Sequence, residues 1–208
     1  KTFADEDGDG WRLNGEKLWI TAVDQAQKML VIARTKKVED VQKRTDGLSM
    51  FMIDVDREGL TYHPIDKVGT RTLSSCSVFF DEVRIEPEEL VGTLHGGWKE
   101  LLDTLNTERI VTTAGLVGAG DLALRLAVAY ANDRKVFGDK PVSAYQGVQF
   151  PLAQAKAEIE SARLLNYKAA AQFDIGEPFG SEANAAKLIA AQAVANATER
   201  SMQAMGGM

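Results

Sequence analysis

The chain has little cysteine, histidine or proline: of its 208 residues, one is cysteine, two are histidine and five are proline. A single cysteine, Cys76, cannot form an internal disulfide, which favours a reducing compartment. His63 and His95 have no cluster of metal-ligating residues beside them, which argues against a zinc site. The net charge of −6 argues against a nucleic-acid partner. We find no signal peptide and no apolar run near the roughly 20 residues that a membrane span needs.

The residues before position 95 have the pattern of a β domain. Short stretches rich in β-branched and aromatic residues alternate with turns that contain Gly and Asp. This spacing is typical of an antiparallel β sandwich or barrel, which we assign to residues 1–94. The clearest strands are predicted at 28–35, 48–55, 60–63 and 75–85.

After residue 95 the chain is rich in alanine and leucine and predicts three long helices, at 97–132, 143–173 and 180–204. Small residues at 112–115 and 118–120 would let a neighbouring element approach the first helix closely. Long helices joined by short loops pack as an antiparallel bundle. The predicted fold class is therefore α+β, with the β domain followed by a helical bundle in residues 95–208.

One segment of the β domain has a pattern that suits a ligand, Leu13-Asn-Gly-Glu-Lys-Leu-Trp-Ile-Thr21. Asn14-Gly15 predicts a tight hairpin turn, because both central residues of a type I′ turn need positive φ. If a strand follows, alternation places Trp19 and Thr21 on the same face. A flat ring beside a hydroxyl suits a planar heteroaromatic ligand such as a flavin. Residues of these types in a strand also serve plain packing, and the pattern alone leaves that alternative open.

The first predicted helix contains a candidate base. Leu101, Leu105, Glu108 and Thr112 follow spacings of four and three, so Glu108 shares a stripe with two leucines. If that stripe is buried, the carboxylate is partly desolvated and its basicity is raised. A glutamate that faces solvent is the alternative.

Several motifs, taken together, resemble the acyl-CoA dehydrogenase family, whose members desaturate acyl-CoA thioesters with FAD. The segment at 13–21 is the first, and the others follow in the order and at the approximate spacing of the family. The resemblance covers the whole chain, and it implies that a helical domain before the β domain and the C-terminal end of the bundle lie outside this sequence. The further motifs are Lys67-Val-Gly-Thr-Arg71, Phe80-Asp-Glu-Val-Arg84, Asn106-Thr-Glu-Arg109, Asn132-Asp-Arg-Lys-Val-Phe-Gly138, Tyr145-Gln146 and Gln203-Ala-Met-Gly-Gly207.

The resemblance implies an FAD site. Trp19, Ile20 and Thr21 match the positions that cover the flavin, with the Thr21 hydroxyl near its N5. Arg134 matches an arginine that binds the FAD pyrophosphate, often of a neighbouring subunit, and Phe137 would pack against the cofactor. The residues that would hold the adenosine half are Gln146, Gln203, Ala204, Met205, Gly206 and Gly207.

The implied reaction removes the α proton of an acyl-CoA and transfers a hydride from the β carbon to flavin N5, giving the trans-2-enoyl-CoA. Glu108 matches the catalytic base of a minority of the family, whereas the usual base lies in the C-terminal stretch that this chain lacks. Asn106, Thr107 and Arg109 match the substrate segment, with Arg109 near the pantetheine arm. No metal is implied.

The resemblance also implies fatty acid β-oxidation, a homotetramer, and electron-transfer flavoprotein as the electron acceptor. It is compatible with a bacterial cytoplasm or a mitochondrial matrix, and we favour the cytoplasm. Two other functions stay open. An acyl-CoA oxidase or a related flavin monooxygenase would let oxygen reach the reduced flavin, and a catalytically silent fragment would retain no flavin.

Overall fold

The computed structural model describes residues 2–207, which form two compact units. The residues up to Leu102 make up the first, here named the β unit, and those from Asp103 make up the second, the helical unit.

The β unit contains one seven-stranded sheet, in the order β5-β6-β2-β1-β3-β4-β7. Each of the four strands predicted from β-rich stretches between turns is present within about one residue. The strands are β1 (Phe3–Asp7), β2 (Gly10–Thr21), β3 (Lys28–Arg34), β4 (Leu48–Asp54), β5 (Leu60–Pro64), β6 (Ser75–Ile85) and β7 (Leu90–Val91).

The sheet is mixed, because β1 pairs with β3 in parallel, at Phe3 and Arg34. The other pairs are antiparallel. The turn after β1 places β2 against one edge of β1. The other edge of β1 pairs with β3, which runs parallel to β1. Together with the three long helices, this sheet confirms the α+β prediction.

The predicted hairpin turn at Asn14-Gly15 is wrong. The turn lies at Gly8-Asp9, since Asp7 pairs with Gly10, and β2 continues through Asn14. The register with β6 shifts by one residue here, and the extra residue is Glu82, at φ 52°. The Asn14 side chain accepts a hydrogen bond from the Glu82 N–H at 2.9 Å. An Asn-Gly pair therefore serves here in a β-bulge, where positive φ and an amide side chain are also useful.

The core of the β unit consists of large apolar side chains. Leu13, Phe51 and Ile53 are fully buried, and the Trp11 ring packs against Phe51 with 5.2 Å between the ring centroids. Cys76 is buried in the same cluster. These side chains alternate along their strands, as expected for a sheet with one buried face.

The helical unit contains most of the first helix and the two that follow it. The observed helices are α1 (Gly97–Asp133), α2 (Gln146–Asp174) and α3 (Gly180–Met205), as predicted except that α2 begins three residues later. A short 3₁₀ turn, Val142–Ala144, lies where the first residues of α2 were predicted. A two-stranded hairpin, β8 (Lys135–Val136) with β9 (Lys140–Pro141), follows α1 and was not predicted.

Small side chains predominate where the helices pack against one another. A Cβ added at Gly120 of α1 would overlap the end of the Ile159 side chain on α2, so this side chain packs against the glycine. The predicted small-residue contact is thus confirmed at Gly120, whereas Gly115 and Gly118 have open space around them. Alanines predominate in the buried cluster, which contains Val117, Leu124, Ala127, Leu152, Ala155, Ile159, Ala162, Ala190, Ala193 and Ala197.

The expectation that no apolar stretch could span a membrane was too strong. By length and composition alone, α1 is long and apolar enough to cross one. Its run of Ala, Gly, Val and Leu residues is interrupted by few charges. Helices in the cores of soluble proteins pass the same test, so the finding does not place α1 in a membrane.

Candidate functional site

A second β-bulge in β2 presents Trp19. Lys17 pairs with Val78 and Ile20 with Cys76, so β2 has one more residue than β6 between these pairs. Trp19 has φ 62° in this bulge, which we name the Trp19 bulge, and its side chain is 57% exposed. For a residue with a Cβ, this left-handed conformation costs about 1–2 kcal/mol. A strained backbone that exposes an aromatic ring points to function more than to packing.

Thr21 and Ile20 lie just beyond the Trp19 bulge. Thr21 is exposed and Ile20 is half-buried. The extra residue interrupts the strict alternation from which the shared face of Trp19 and Thr21 was predicted, so that argument does not hold. Both side chains are nevertheless exposed, as a ligand contact requires.

The unpredicted hairpin between α1 and α2 presents two more of the predicted residues. Its loop contains Phe137, with φ 50° and 94% exposed, followed by Gly138 at φ 95°. Arg134 follows the last residue of α1 and is exposed, and its guanidinium has no hydrogen bond or ion pair within residues 2–207. An exposed phenylalanine on a strained backbone, three residues from an arginine whose charge is unpaired in the described chain, suits a ligand that is both aromatic and anionic.

The start of α2 and the end of α3 lie side by side. A depression of about 360 Å³ between them is lined by Gly147 and Pro151 from α2 and by Arg200, Gln203 and Ala204 from α3, among others. Gln146, the residue before Gly147, is exposed. The structure therefore brings together the two segments for which a role with adenosine was predicted.

Glycines leave room beside this depression. A Cβ added at Gly147, Gly206 or Gly207 would meet no atom within 4 Å. Gly206, at φ 69°, also ends α3, and its N–H donates to the Met202 carbonyl. Gly206 is thus the C-cap of α3, a position where positive φ favours glycine.

The substrate segment of α1 is locally ordered. The Arg109 Nη1 donates to Oδ1 of Asn106 at 3.1 Å, and the Asn106 amide packs against Gly180 at the start of α3. The Thr107 hydroxyl donates to the Asp103 carbonyl one turn earlier. These contacts fix the orientation of Asn106 and Arg109 within the helical unit.

Glu108 is exposed. The buried face of α1 runs through Thr113, Val117 and Gly120, and the stripe that was predicted to hold Glu108 lies beside it. The helical unit by itself therefore leaves this carboxylate in contact with solvent.

A larger cavity of the helical unit lies elsewhere. It has a volume of about 860 Å³ between α1 and α2, with a mainly apolar lining that includes Leu122, Val128 and Leu152. None of the predicted site residues lines it, so its size does not mark it as the candidate site.

Comparisons with known proteins agree along the chain. Residues 95–208 match the family model described as acyl-CoA dehydrogenase, C-terminal domain, and residues 1–83 match the acyl-CoA dehydrogenase, middle domain. The chain is 38% identical to the acyl-CoA dehydrogenase FadE12 of Mycobacterium tuberculosis, over 99% of this chain and 53% of that protein. It is also 38% identical to the mitochondrial short-chain specific acyl-CoA dehydrogenase of Bos taurus, over 100% of this chain and 49% of that protein.

A comparison with solved structures finds the same family. The solved structure of butyryl-CoA dehydrogenase from Megasphaera elsdenii superposes with a TM-score of 0.90 at 34% identity, over 100% of this chain and 53% of that chain. This chain spans about half the length of the relatives that it matches.

Proposed function

Because this chain belongs to the acyl-CoA dehydrogenase family, we propose that the protein catalyses FAD-dependent α,β-dehydrogenation of an acyl-CoA thioester to the trans-2-enoyl-CoA. The family match along the chain supports this proposal. Within each unit, the observation that supports it is an exposed aromatic ring on strained backbone, Trp19 in the β unit and Phe137 in the helical unit.

The described residues fit FAD. Trp19 would cover the flavin, and the Thr21 hydroxyl and the Ile20 backbone would hydrogen-bond its edge. The Arg134 guanidinium would neutralise the pyrophosphate, a role in which two parallel N–H donors are an advantage. Phe137 would pack against the cofactor. The adenosine half would occupy the open side of the depression between α2 and α3, against Gln146 and the segment Gln203, Ala204, Met205, Gly206 and Gly207.

The remaining site residues would hold the substrate and move a proton. FAD, when bound, accepts the hydride that leaves the β carbon. Arg109, braced by Asn106, would contact the pantetheine arm, and Thr107 belongs to the same segment. Glu108 would accept the α proton if bound acyl-CoA removes water from its carboxylate and so raises its basicity. The usual family base, in the C-terminal stretch outside this chain, is the alternative.

We also propose an oligomeric state, an electron acceptor and a cellular compartment for the enzyme. Large apolar side chains exposed on the helices, such as Leu126, Leu164 and Leu188, suit assembly into a homotetramer. Electron-transfer flavoprotein would accept the electrons, in fatty acid β-oxidation. Since the matched relatives include bacterial and mitochondrial enzymes, the cytoplasm of a bacterium or the mitochondrial matrix would both be suitable, and we favour the cytoplasm.

The test is the absorbance spectrum of the full-length protein before and after anaerobic addition of a short or branched acyl-CoA. We expect a flavin spectrum that bleaches, with a long-wavelength charge-transfer band. Peroxide release on aerobic turnover would move the assignment to an oxidase or a monooxygenase. A colourless protein that cannot be reconstituted with FAD would exclude the proposal and leave a catalytically silent fragment.

Two substitutions then test the residues. Glu108→Gln should slow flavin reduction by about 100-fold or more if Glu108 is the base. Asp103→Asn, an exposed carboxylate on the same helix, is the matched control and should have no effect. An unchanged rate in Glu108→Gln would assign the base to the C-terminal stretch. Thr21→Ala should slow reduction and perturb the flavin spectrum, and normal values of both would remove Thr21 from the site.

A further inference from the structure

Asn166 is a polar residue on the buried face of α2, where it is 5% exposed. An amide among apolar side chains loses its hydrogen bonds to water, and asparagine is seldom fully buried for that reason. An aliphatic side chain of similar size would be the ordinary choice at this position. Within the described part of the chain, the other buried residues of this helix are apolar, namely Leu152, Ala155, Ile159, Ala162 and Ala169.

The Asn166 amide connects α2 to α1. Its Nδ2 donates to the Ile110 carbonyl at 3.1 Å. Ile110 lies inside α1, where the same carbonyl is the acceptor for the N–H four residues later in the helix. A carbonyl oxygen has two lone pairs and can accept both bonds. The bond from Asn166 is therefore not needed to complete α1, and what it adds is a link between two helices.

Ile110 directly follows the substrate segment of α1. The residue before it is Arg109, which would contact the pantetheine arm in the proposed function. Within a helix, each side chain leaves in a fixed direction relative to the carbonyl of the next residue. The direction of the Arg109 side chain is thus set by the rotation of α1 about its axis, and a bond that fixes the Ile110 carbonyl fixes that rotation as well.

A second contact holds the same part of α1 from α3. A Cβ added at Gly180 would lie 2.9 Å from the Asn106 Nδ2, so the Asn106 amide packs against this glycine. The Asn106 Oδ1 accepts from the Arg109 Nη1 at 3.1 Å. The substrate segment is therefore held on α3 through a side chain and on α2 through the Ile110 carbonyl. Two contacts with different neighbours, about one turn apart, keep α1 from rotating.

We propose that Asn166 is a positioning residue for acyl-CoA: its bond to the Ile110 carbonyl fixes the rotation of α1 at the substrate segment and so directs the Arg109 guanidinium toward the pantetheine arm. This inference rests on the proposed function. Because Asn166 is buried, it acts on the substrate through α1 and makes no contact with the substrate itself.

The test measures the dissociation constant for coenzyme A by calorimetry, and the melting temperature, on variants of the full-length protein loaded with FAD. Coenzyme A is the probe because its pantetheine arm is common to every acyl-CoA. Asn166→Leu roughly keeps the size of the side chain and removes the donor, and Asn166→Gln keeps an amide. Asn196→Leu is the matched control, because Asn196 also donates between helices, from α3 to the Glu158 carboxylate of α2 at 2.9 Å.

We expect Asn166→Leu to weaken the binding of coenzyme A by about fivefold. Asn166→Gln should recover part of the loss. Asn196→Leu should lower the melting temperature and leave the dissociation constant at the wild-type value. An asparagine with a merely structural role would behave as this control does. Wild-type binding in Asn166→Leu would therefore overturn the inference while the proposed function stands.

A double variant tests the route through Arg109. Arg109→Ala alone should weaken binding by about tenfold. If Asn166 acts through the guanidinium, Asn166→Leu should change the binding of the Arg109→Ala variant by less than about twofold. Independent effects add in free energy, so the full loss from Asn166→Leu on top of that from Arg109→Ala would overturn the positioning role.

Two further outcomes are decisive. If Asn166→Leu does not fold, Asn166→Ala replaces it in both comparisons, because it also lacks the donor and the buried face of α2 already contains alanines. A wild-type protein that binds no coenzyme A would overturn this inference. If its flavin is nevertheless bleached by an acyl-CoA, the proposed function stands, and if it is not, both are overturned.

Discussion

The β unit and the helical unit bury apolar surface in opposite ways. The β unit encloses its large side chains, such as Phe51, Leu13 and Ile53, whereas the helical unit is closed mainly by alanines around Gly120. Small side chains let helices approach closely, but each removes little surface from water. Several large apolar residues of the helices are exposed instead, namely Val111, Leu122, Leu126, Phe150, Leu164, Leu188 and Met202.

This difference predicts which substitutions destabilise each unit. Substitutions that make a buried side chain smaller should destabilise the β unit most. Substitutions that make one larger should destabilise the helical unit most. The two can be followed separately, because all three tryptophans, Trp11, Trp19 and Trp98, lie in the β unit, while far-ultraviolet circular dichroism reports mainly on the helices.

The largest expected effect is that of Phe51→Ala. Phe51 is fully buried against Trp11, so the substitution should lower the free energy of unfolding by about 3–5 kcal/mol. Urea denaturation followed by tryptophan fluorescence measures it. The control is Gln192→Ala in the helical unit, followed by circular dichroism; its side chain is exposed, and the change should stay within about 0.5 kcal/mol. Equal losses in both variants would contradict the contrast between the units.

Gly120→Val should lower the stability of the helical unit by about 1–3 kcal/mol, because the new side chain meets Ile159. Gly118→Val is the control on the same helix, where a Cβ meets nothing within 4 Å. It should be neutral or slightly stabilising, since valine has a higher helix propensity than glycine. Thermal unfolding followed by ellipticity at about 222 nm, the ordinary helix signal, separates the two. A stable Gly120→Val variant would show that the helices are not closely packed there.

Glu89→Gln should cost the β unit about 1.5 kcal/mol near neutral pH. Both Glu89 carboxylate oxygens accept from the Arg57 guanidinium, at 2.6 and 2.9 Å. Burial favours a higher pKa for Glu89, but the hydrogen bonds from Arg57 and from the Glu86 N–H outweigh it, so the pKa lies below its usual value. The carboxylate thus contributes stability above the unfolded pKa of about 4.3, which is lost as pH falls through the lower folded value.

The difference in unfolding free energy between wild type and Glu89→Gln should therefore shrink as the pH falls from about 5 toward 3. Glu88→Gln, which changes an exposed neighbour, should show no such dependence. A difference that stays constant with pH would mean that the ion pair does not account for the effect.

The smallest expected effect on stability is that of Trp19→Ala. Its ring is more than half exposed, so the change in unfolding free energy should stay within about 0.5 kcal/mol. FAD binding should nevertheless fall, which equilibrium dialysis measures. A large loss of stability with unchanged FAD binding would show that Trp19 is a packing residue of the β unit.

Residue composition and turn signals were sufficient to place the long elements. β6 was predicted at 75–85 and is observed as Ser75–Ile85, and α1 was predicted at 97–132 and ends one residue later. Alternation and helical repeats reflect burial within one element, which neighbouring residues in sequence reveal. The short strands β8 and β9, of two residues each, have too few residues for a repeat.

Pairing between distant residues could not be predicted in the same way. Asn14-Gly15 suits a turn or a bulge equally well by local preference, and only the Asn14 contact with Glu82, 68 residues away, decides for the bulge. Glu108 was placed on a stripe whose two leucines are half-buried, while Glu108 itself is exposed. Because α1 is apolar on several sides, only its packing on α2 and α3 determines which stripe is buried. The residues around the candidate site were found by resemblance, and the strain at Trp19 and Phe137 was not visible in sequence.

The alanine core has a consequence for temperature. Unfolding raises the heat capacity in proportion to the apolar surface that becomes exposed. The β unit, with its phenylalanines, isoleucines and leucines, hides much of that surface per buried residue, whereas each alanine of the helical unit hides a single methyl group. The stability of the β unit should therefore follow the more strongly curved dependence on temperature. Cooling should weaken the sheet before it weakens the helices.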